Sequence, residues 1–447
     1  MIRLVLSDLT AHARVWLGVL AVTIATGFVG AIAAGLIETG TVHGGRVLEG
    51  LSSTSAAVIM FTAVTALIVL SSTVNLTVAL QQRSYALWQL VGIRPALVAW
   101  VVLTQLGIVG TLGAAVGCLI ALPIFPPLFV WVFREWTDMQ GISLHLGAVS
   151  MLVVVVSIVV VVLLGGLRGA RRASRTPPIE ALRDPEPPRI KVGWFRIVLA
   201  VLVLGGTVAL ALTLDGNASI SAFSGQAVLL TPLIAAALAA AGPLVFPLVL
   251  RAWTSLLPPS ASASWFLARN SARNRLSQSS AAISPLMVAV ALAGGLYTTG
   301  ATLAAAQAEK TGSSAGFDLA PEGVVILLGG PLLLSAVAAA ATVFMSGHAR
   351  EREFALIQAA GSTHADITLT AIWEAVIYTV TAAILGTLAT AVGGLIIAAK
   401  LSLTVPVVSF ATLGLIAGGG FVLILAATVV PTATALRHEI PRTLAVE

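Results

Sequence analysis

Few side chains in this sequence could do chemistry. Two short polar segments stand out, because they occupy equivalent positions in two parts of the chain. One segment, Arg83 to Gly92, reads RSYALWQLVG, and the other, Arg352 to Gly361, reads REFALIQAAG. Five of the ten positions are identical at a shift of 269 residues, which indicates an internal repeat. Both segments lie between long apolar runs, so each is predicted to be a polar bridge between two membrane helices. We assign no catalytic residue to either segment.

The two bridges have a local pattern that favours helix, sharp turn and helix. Neither copy contains an internal Pro, so the preceding helix can continue past the membrane surface. Gly92 and Gly361 suit a helix C-terminus that needs a left-handed residue. Thr363 and Asp366 have the spacing of a capping box that opens the next helix. This arrangement is typical of a docking element. The alternative is that both segments are only charged flanks that anchor two hairpins.

Glu374 is the most informative ionisable residue, because it lies about seven residues inside a long apolar run. An ionised carboxylate in lipid is costly, so Glu374 should face protein or water. Its counterpart in the first copy is Gln105. We expect these two residues either to take part in coupling within the membrane or, for Glu374, to be a helix-start carboxylate at the headgroup level.

The sequence lacks the residues that other kinds of chemistry need. No Gly is followed by Lys, so the phosphate-binding loop of an ATPase is absent from this sequence. The six His residues are scattered, and Cys118 is the single cysteine, which excludes a disulfide within the chain. We therefore expect no enzyme active site, no metal site and no cofactor bound directly.

The composition predicts an all-α polytopic membrane protein. Hydrophobic residues make up 58% of the chain and charged residues 9%, against about 25% charged residues in soluble domains. A span needs about 20 apolar residues. The apolar runs predict ten helical spans, near 16–37, 55–80, 97–122, 148–167, 197–214, 225–250, 283–305, 323–346, 367–398 and 408–432.

The basic residues predict the orientation of these spans. With a cytoplasmic N-terminus, twenty of the 24 Lys and Arg residues fall on the inner side. The four outer ones are Arg46, Arg134, Lys310 and Lys400. Both termini are then cytoplasmic, and the run from Trp16 is expected to be a retained first span. Because the basic residues are spread over six segments, nucleic-acid binding is not expected.

The repeat also predicts the domain organisation. Residues 1–170 would form a first four-helix module, 171–262 a basic linker with two linking helices, and 263–447 a second four-helix module. Both modules start on the same side, so the repeats are parallel.

Two further segments are candidate contact surfaces. The outer segment from Pro123 to Gly147 carries Phe129, Trp131 and Trp136, which favour an aromatic belt or a lateral entry site for an amphiphilic substrate. The inner Pro-rich segments carry the residues of a second docking contact, or of a linker attracted to anionic lipid. These residues are Pro178, Glu180, Leu182 and Pro441.

These features resemble the FtsX/MacB-like permeases of ABC transporters, also called type VII. The family's bridge reads roughly Arg-x-x-Glu-x-x-Leu followed by a Gly, and Arg350, Glu353, Leu356 and Gly361 fit it. In the first copy Ser84 stands where the second copy has Glu353. The ten-span, two-module form is similar to bacitracin-exporter permeases, but the large outer domain is missing.

The resemblance implies a permease subunit in the bacterial plasma membrane that docks two copies of an ABC ATPase. ATP and Mg would bind to those partners, with one permease chain in each complex. The substrate would be an apolar or amphiphilic lipid, lipopeptide or drug, exported through the membrane. The expected ATPase-coupling residues are Arg83, Leu87, Trp88, Gly92, Arg352, Glu353, Leu356 and Gly361.

Two other functions remain open from the sequence. An ion-coupled secondary transporter could also have parallel repeats, although its spans would usually carry more charged residues. A non-transporting scaffold could pass ATPase motion to an outer partner, although the short outer loops offer little surface for one.

Overall fold

A computed structural model describes residues 2–175, 194–215, 220–258, 260, 262–311, 321–359, 361–403 and 405–435. Within these ranges the regular structure is helical, apart from one short 3₁₀ turn at Thr137–Met139, which confirms the predicted all-α architecture. The helices are α1 Ile2–Ala11, α2 Ala13–His43, α3 Gly45–Leu80, α4 Gln82–Leu90, α5 Pro95–Val132, α6 Ala148–Arg175, α7 Trp194–Thr213, α8 Ile220–Ala240, α9 Gly242–Thr254, α10 Ala263–Asn274, α11 Leu276–Thr311, α12 Pro321–Ala359, α13 His364–Lys400 and α14 Phe410–Ala435.

Nine of the helices in these ranges are long and apolar enough to cross a membrane. They are α2, α3, α5, α6, α8, α11, α12, α13 and α14. The predicted fifth span is α7, whose apolar part, Ala200–Thr213, is shorter than the others. The ten predicted spans therefore correspond to nine long apolar helices and one short one.

Two predicted span ends differ from the structure, and both lie next to prolines. The predicted span 225–250 is interrupted after Ala240, because Pro243 falls in the first turn of a new helix, α9, where its missing N–H is tolerated. The span predicted to end at residue 122 instead continues to Val132 through three prolines. Neighbouring helices stabilise such a helix when it lies in a packed bundle.

Contacts divide the chain into two units, and the first comprises residues 1–188 with 320–345. In this unit α2 packs on α3 and α5, while α6 packs on α5 and α3. The backbones of α2 and α5 approach closely, since a Cβ on Gly27 would lie 2.5 Å from the Ala114 carbonyl oxygen. Close contacts between small residues are a main source of helix association in membranes, where hydrophobic burial alone contributes little.

The first part of α12, residues 321–345, belongs to this first unit, although the repeat assigns it to the second module. A Cβ on Gly330 would lie 2.5 Å from Cγ1 of Val29, so the helices leave no space there. The Thr77 hydroxyl lies 3.4 Å from the Met345 sulfur, at the other end of the same segment. The remainder of α12 is grouped with the second unit. The modules defined by the repeat stay a prediction, because contact units and sequence repeats divide the chain by different criteria.

The second unit comprises residues 189–319 and 346–447. Its centre is α11, in which every residue from 281 to 296 is buried. Helices α8, α13 and α14 pack around α11, and α10 packs on α13. The contact of α11 with α13 is tight, because a Cβ on Gly386 would lie 2.7 Å from the side chain of Val290.

Candidate coupling site

The first bridge is a separate short helix, whereas the second continues its membrane helix. Gln81 interrupts the first copy between α3 and α4, but α12 runs without interruption to Ala359. In both copies the predicted glycine ends the bridge in the left-handed region, with φ of 94° at Gly92 and 97° at Gly361. The prediction of a left-handed glycine after each bridge is confirmed.

One face of α4 is fixed to the first unit by a buried tyrosine. Tyr85 is 0% exposed, and its hydroxyl hydrogen-bonds to the side-chain oxygen of Gln81. Its ring meets the Trp88 ring edge-on, with centroids 5.4 Å apart. Burial, and then the charge on Asp8, raise the pKa of Tyr85, so the phenol stays neutral.

A second contact holds α4 against α6. The Gln89 amide donates a hydrogen bond of 3.1 Å to the backbone oxygen of Ala173. Together with the buried Tyr85, this contact attaches α4 to α6 and to the core of the unit.

The opposite face of α4 is open. Leu87, Leu90 and Val91 are 44%, 49% and 85% exposed, and Gly92 is exposed as well. Trp88 is half-buried against the core. Of the predicted docking residues in this copy, Leu87 and Gly92 therefore lie on the open face. The Arg83 side chain lies outside the described residues.

The second bridge is followed by the predicted capping box. Thr363 Oγ1 accepts a hydrogen bond of 3.2 Å from the Asp366 backbone N–H, and Asp366 Oδ2 accepts one of 3.0 Å from the Thr363 N–H. The predicted capping box is confirmed. The side chains of Arg352, Glu353 and Leu356 lie outside the described part of α12.

Gln105 is completely buried in a polar contact that links α5 to the N-terminal helix. Its amide nitrogen donates a hydrogen bond of 2.8 Å to Asp8 Oδ2 on α1. The other oxygen of Asp8 lies 3.1 Å from Nδ1 of His12. Asp8 is itself buried, at 7% exposed. This contact joins α1 to α5. The charge on Asp8 also acts on Tyr85 of the first bridge.

Glu374, the counterpart of Gln105, is 3% exposed and lies on α13. It faces protein rather than lipid, as the cost of a charge in lipid requires. Its role in coupling stays a prediction.

Asp8 was missed by the sequence analysis, although a signal was present. The residues before the first span of each module align at a shift of 262, which places Asp8 opposite Asn270. The first module thus has Asp8 with Gln105, and the second has Asn270 with Glu374 at the matching positions. The exchange of acid for amide at both positions together would have indicated a paired site.

The aromatic segment after α5 separates into buried and exposed residues. Phe129 is 3% exposed, and its ring lies between those of Phe125 and Phe133, with centroids 6.0 and 4.7 Å away. Trp131 and Trp136 are 41% and 54% exposed. Any substrate entry at this end would therefore use the two tryptophans rather than Phe129.

An ion pair that the sequence did not indicate lies at the same end of the unit. The guanidinium of Arg134 hydrogen-bonds to Oε1 of Glu322, which opens α12. The Glu322 side chain is 10% exposed and the Arg134 side chain 54% exposed, so only the carboxylate of this pair is shielded from solvent. It fixes the first turn of α12 to the end of α5.

The predicted second docking contact stays a prediction, because Pro178, Glu180, Leu182 and Pro441 lie outside the described residues. Among the residues that are described, no three His, Cys, Asp or Glu side chains are grouped to hold a metal ion. The sequence also contains one Gly-x-Ser-x-Gly pattern, from Gly312 to Gly316, which is typical of serine hydrolases when it follows a strand. Here it follows the helix α11 along the chain and lies outside the described residues, so no hydrolase site is assigned to it.

Comparison with known families identifies the repeated unit. A family model described as FtsX-like permease C-terminal matches residues 56–178 and again residues 325–440. The two ranges together cover more than half of the chain, and each contains one bridge and the helix that follows it. No curated protein matches the sequence. The chain therefore belongs to the FtsX-like permease family, as an all-helical, multi-pass membrane protein that carries the family domain twice.

Proposed function

We propose that this chain is the permease subunit of an ABC transporter in the bacterial plasma membrane, driven by separate ATPase subunits. The double family match carries the proposal, because each matched range contains one of the two bridge segments. Two bridges suit two copies of an ATPase, with one permease chain in each complex. The sequence has no phosphate-binding loop of its own, so ATP and Mg would bind to the partners.

The contacts of α4 suit a helix that transmits the motion of a partner to the first unit. Its open face presents Leu87, Leu90 and Val91 to a partner, while Tyr85 and Gln89 fix the other face to the unit. Closure of an ATPase dimer would push on the open face. The displacement would pass to α6 through Gln89, and to α1 and α5 through the buried site at Asp8 and Gln105.

The second bridge would use charged as well as apolar contacts. Glu353 and Leu356 stand at positions of the family's bridge pattern, and Arg352 is the arginine that the second bridge shares with Arg83 of the first. Pro178, Glu180, Leu182 and Pro441 would add a second contact with the same partner.

The expected substrate is apolar or amphiphilic, such as a lipid, lipopeptide or hydrophobic drug. The membrane helices carry few charged residues, and Glu374 is enclosed by protein. A polar substrate would find few partners along such a path. The exposed Trp131 and Trp136 could hold an amphiphilic substrate at the headgroup level. We expect the direction to be export.

The first test is co-purification after expression of the chain with its whole operon. An ABC ATPase should co-purify, and the reconstituted complex should hydrolyse ATP faster when its substrate is added. The double charge reversal Arg352→Glu and Glu353→Arg should abolish transport while ATP hydrolysis continues. Arg46→Glu, at the far end of α3, is the matched control and should transport normally.

Three outcomes would contradict the proposal. If no ATPase co-purifies and transport follows a proton or sodium gradient, the chain is a secondary transporter. If an ATPase binds but reconstituted vesicles move no substrate, the chain is a scaffold that transmits motion. If the charge-reversed variant transports normally, the second bridge is not a docking element.

A further inference from the structure

Three arginines lie where the C-terminal end of α9 packs on α10, and we call them the arginine cluster: Arg251, Arg269 and Arg273. The guanidinium of Arg273 donates to Thr254 Oγ1 from Nε and Nη2, at 3.1 and 2.7 Å. Its Nη2 also donates to the backbone oxygen of Arg251, at 3.1 Å. These bonds join the Arg273 side chain to the C-terminus of α9. Arg269 lies one turn earlier on the same face of α10, and the charges of Arg269 and Arg251 both act on Arg273.

The arginine cluster is electrostatically unfavourable by itself. Burial, and then the charges on Arg269 and Arg251, lower the pKa of Arg273. The Nε of Arg269 is buried with no hydrogen-bond partner in the described part of the chain. No Asp or Glu lies between Asp215 and Glu309. Helix α13, which packs on α10, contributes the buried carboxylate of Glu374, but this group is not among the charges that act on Arg273. An anion from outside the chain would relieve the repulsion.

Apolar side chains lie beside the arginine cluster. Along α9, Leu244 and Leu248 are 53% and 67% exposed and are four residues apart, so they share one helix face. Leu256, just after α9, is 81% exposed. The opposite face of α9 packs inward through Phe246 and Leu250. An exposed apolar stripe that ends in basic residues matches a ligand with a hydrocarbon part and an anionic head.

The position of the arginine cluster along the chain fits the boundary of the membrane. The span of α8 ends at Ala240, just before α9, and the span of α11 begins at Gln278, just after α10. The arginine cluster therefore lies between the ends of two spans along the chain, where lipid headgroups are expected.

We propose that the arginine cluster binds the headgroup phosphate of an anionic phospholipid from the adjoining leaflet. Arg251 and Arg269 contact the phosphate, Arg273 holds the two helix ends together around it, and Leu244, Leu248 and Leu256 contact the acyl chains. Basic pockets between membrane helices bind anionic lipids in this way. The three arginines belong to neither bridge segment, and the proposal does not depend on the chain being a transporter.

Native mass spectrometry of the full chain in detergent, titrated with phosphatidylglycerol or phosphatidylcholine, tests the proposal. The wild type should retain phosphatidylglycerol in preference. Arg251→Gln and Arg269→Gln should each weaken its binding about fivefold, at about 1 kcal/mol for each basic residue. Arg251→Lys keeps the charge and should bind within about twofold of the wild type. Arg46→Gln, in the first unit, is the matched control and should bind as the wild type does.

Competition and partner binding separate this site from its alternatives. Inorganic phosphate at millimolar concentration should not displace phosphatidylglycerol, and complete displacement would show a simple anion site. Unchanged lipid binding in both Gln variants would overturn the proposal. So would loss of an ATPase partner in these variants with lipid binding intact, which would show a protein contact. Thermal unfolding of each variant near the wild-type temperature shows that weaker binding reflects the site rather than misfolding.

Discussion

At the scale of single residues, Asp8 and Gln105 form a polar pair that is buried among apolar helices. The hydrogen bond of 2.8 Å gives the carboxylate a donor inside the protein. A buried charge without such a donor would be strongly destabilising. At the matching positions the second module has Asn270 and Glu374, so each module has one acid and one amide. The acid is on the N-terminal helix in one module and on the third span in the other.

Gln105→Glu should destabilise the protein, because it would place two carboxylates in contact. We expect a loss of about 2 kcal/mol at pH 8, since one buried acceptor loses its donor. The measurement is chemical unfolding of the purified protein at pH 8.

The double variant Asp8→Asn with Gln105→Glu is the matched control, because it restores one acid and one amide in the order of the second module. It should recover most of the lost stability. A double variant no more stable than Gln105→Glu alone would show that the two side chains do not act as a pair.

At the scale of elements, α4 combines an anchored face with an open one. Tyr85 is completely buried, and two residues further along Leu87 is 44% exposed. The side chains of a helix alternate between faces at this spacing, so one short helix can be fixed to its unit and still present a surface. The second copy reaches the same position with one continuous helix, α12. The two bridges therefore share their terminal glycine but differ in how they are attached.

Tyr85→Ala and Leu87→Glu should each affect a different face of α4 and a different property of the protein. Loss of the buried Tyr85 ring should leave a cavity and free α4, so amide hydrogen exchange of residues 82–92 should rise. Leu87→Glu should leave that exchange unchanged but weaken ATPase binding at least tenfold, because a charge would enter an apolar contact.

Hydrogen exchange and co-purification of both variants provide the measurement. Equal exchange rates in Tyr85→Ala and the wild type would show that the tyrosine does not anchor α4. Normal ATPase binding by Leu87→Glu would show that the open face is not the docking surface.

At the scale of the whole molecule, the first unit takes part of its core from a helix that is distant in sequence. Residues 321–345 of α12 pack against α2, where Gly330 meets Val29. The ion pair of Arg134 and Glu322 fixes the start of this segment. The first unit is therefore incomplete without a segment that the repeat assigns to the second module.

Gly330→Ala should destabilise the protein, whereas Gly329→Ala should not. A Cβ on Gly330 would lie 2.5 Å from Val29, but one on Gly329 would meet only Val325, at 3.7 Å. Overpacking at Gly330 should cost about 1–3 kcal/mol, and Gly329→Ala should gain a few tenths from helix propensity. Thermal unfolding of the two variants in one detergent provides the comparison. Equal effects of the two substitutions would contradict the close packing of α12.

The sequence alone determined the features that depend on local pattern. Apolar runs and scarce charges identify membrane helices, because the bilayer requires about 20 apolar residues for a span. The repeated glycines predicted the left-handed turns at Gly92 and Gly361, and the spacing of Thr363 and Asp366 predicted a capping box. Each of these features is set by residues within a few positions of one another.

Only the tertiary structure decided which helices meet. Hydropathy does not choose the partner of a membrane helix, because lipid tails are as apolar as leucine. The choice depends instead on close fit, as at Gly330, and on single polar contacts, as between Asp8 and Gln105. Such contacts join residues that are about 100 to 300 positions apart in the chain, so no periodicity or local spacing reveals them.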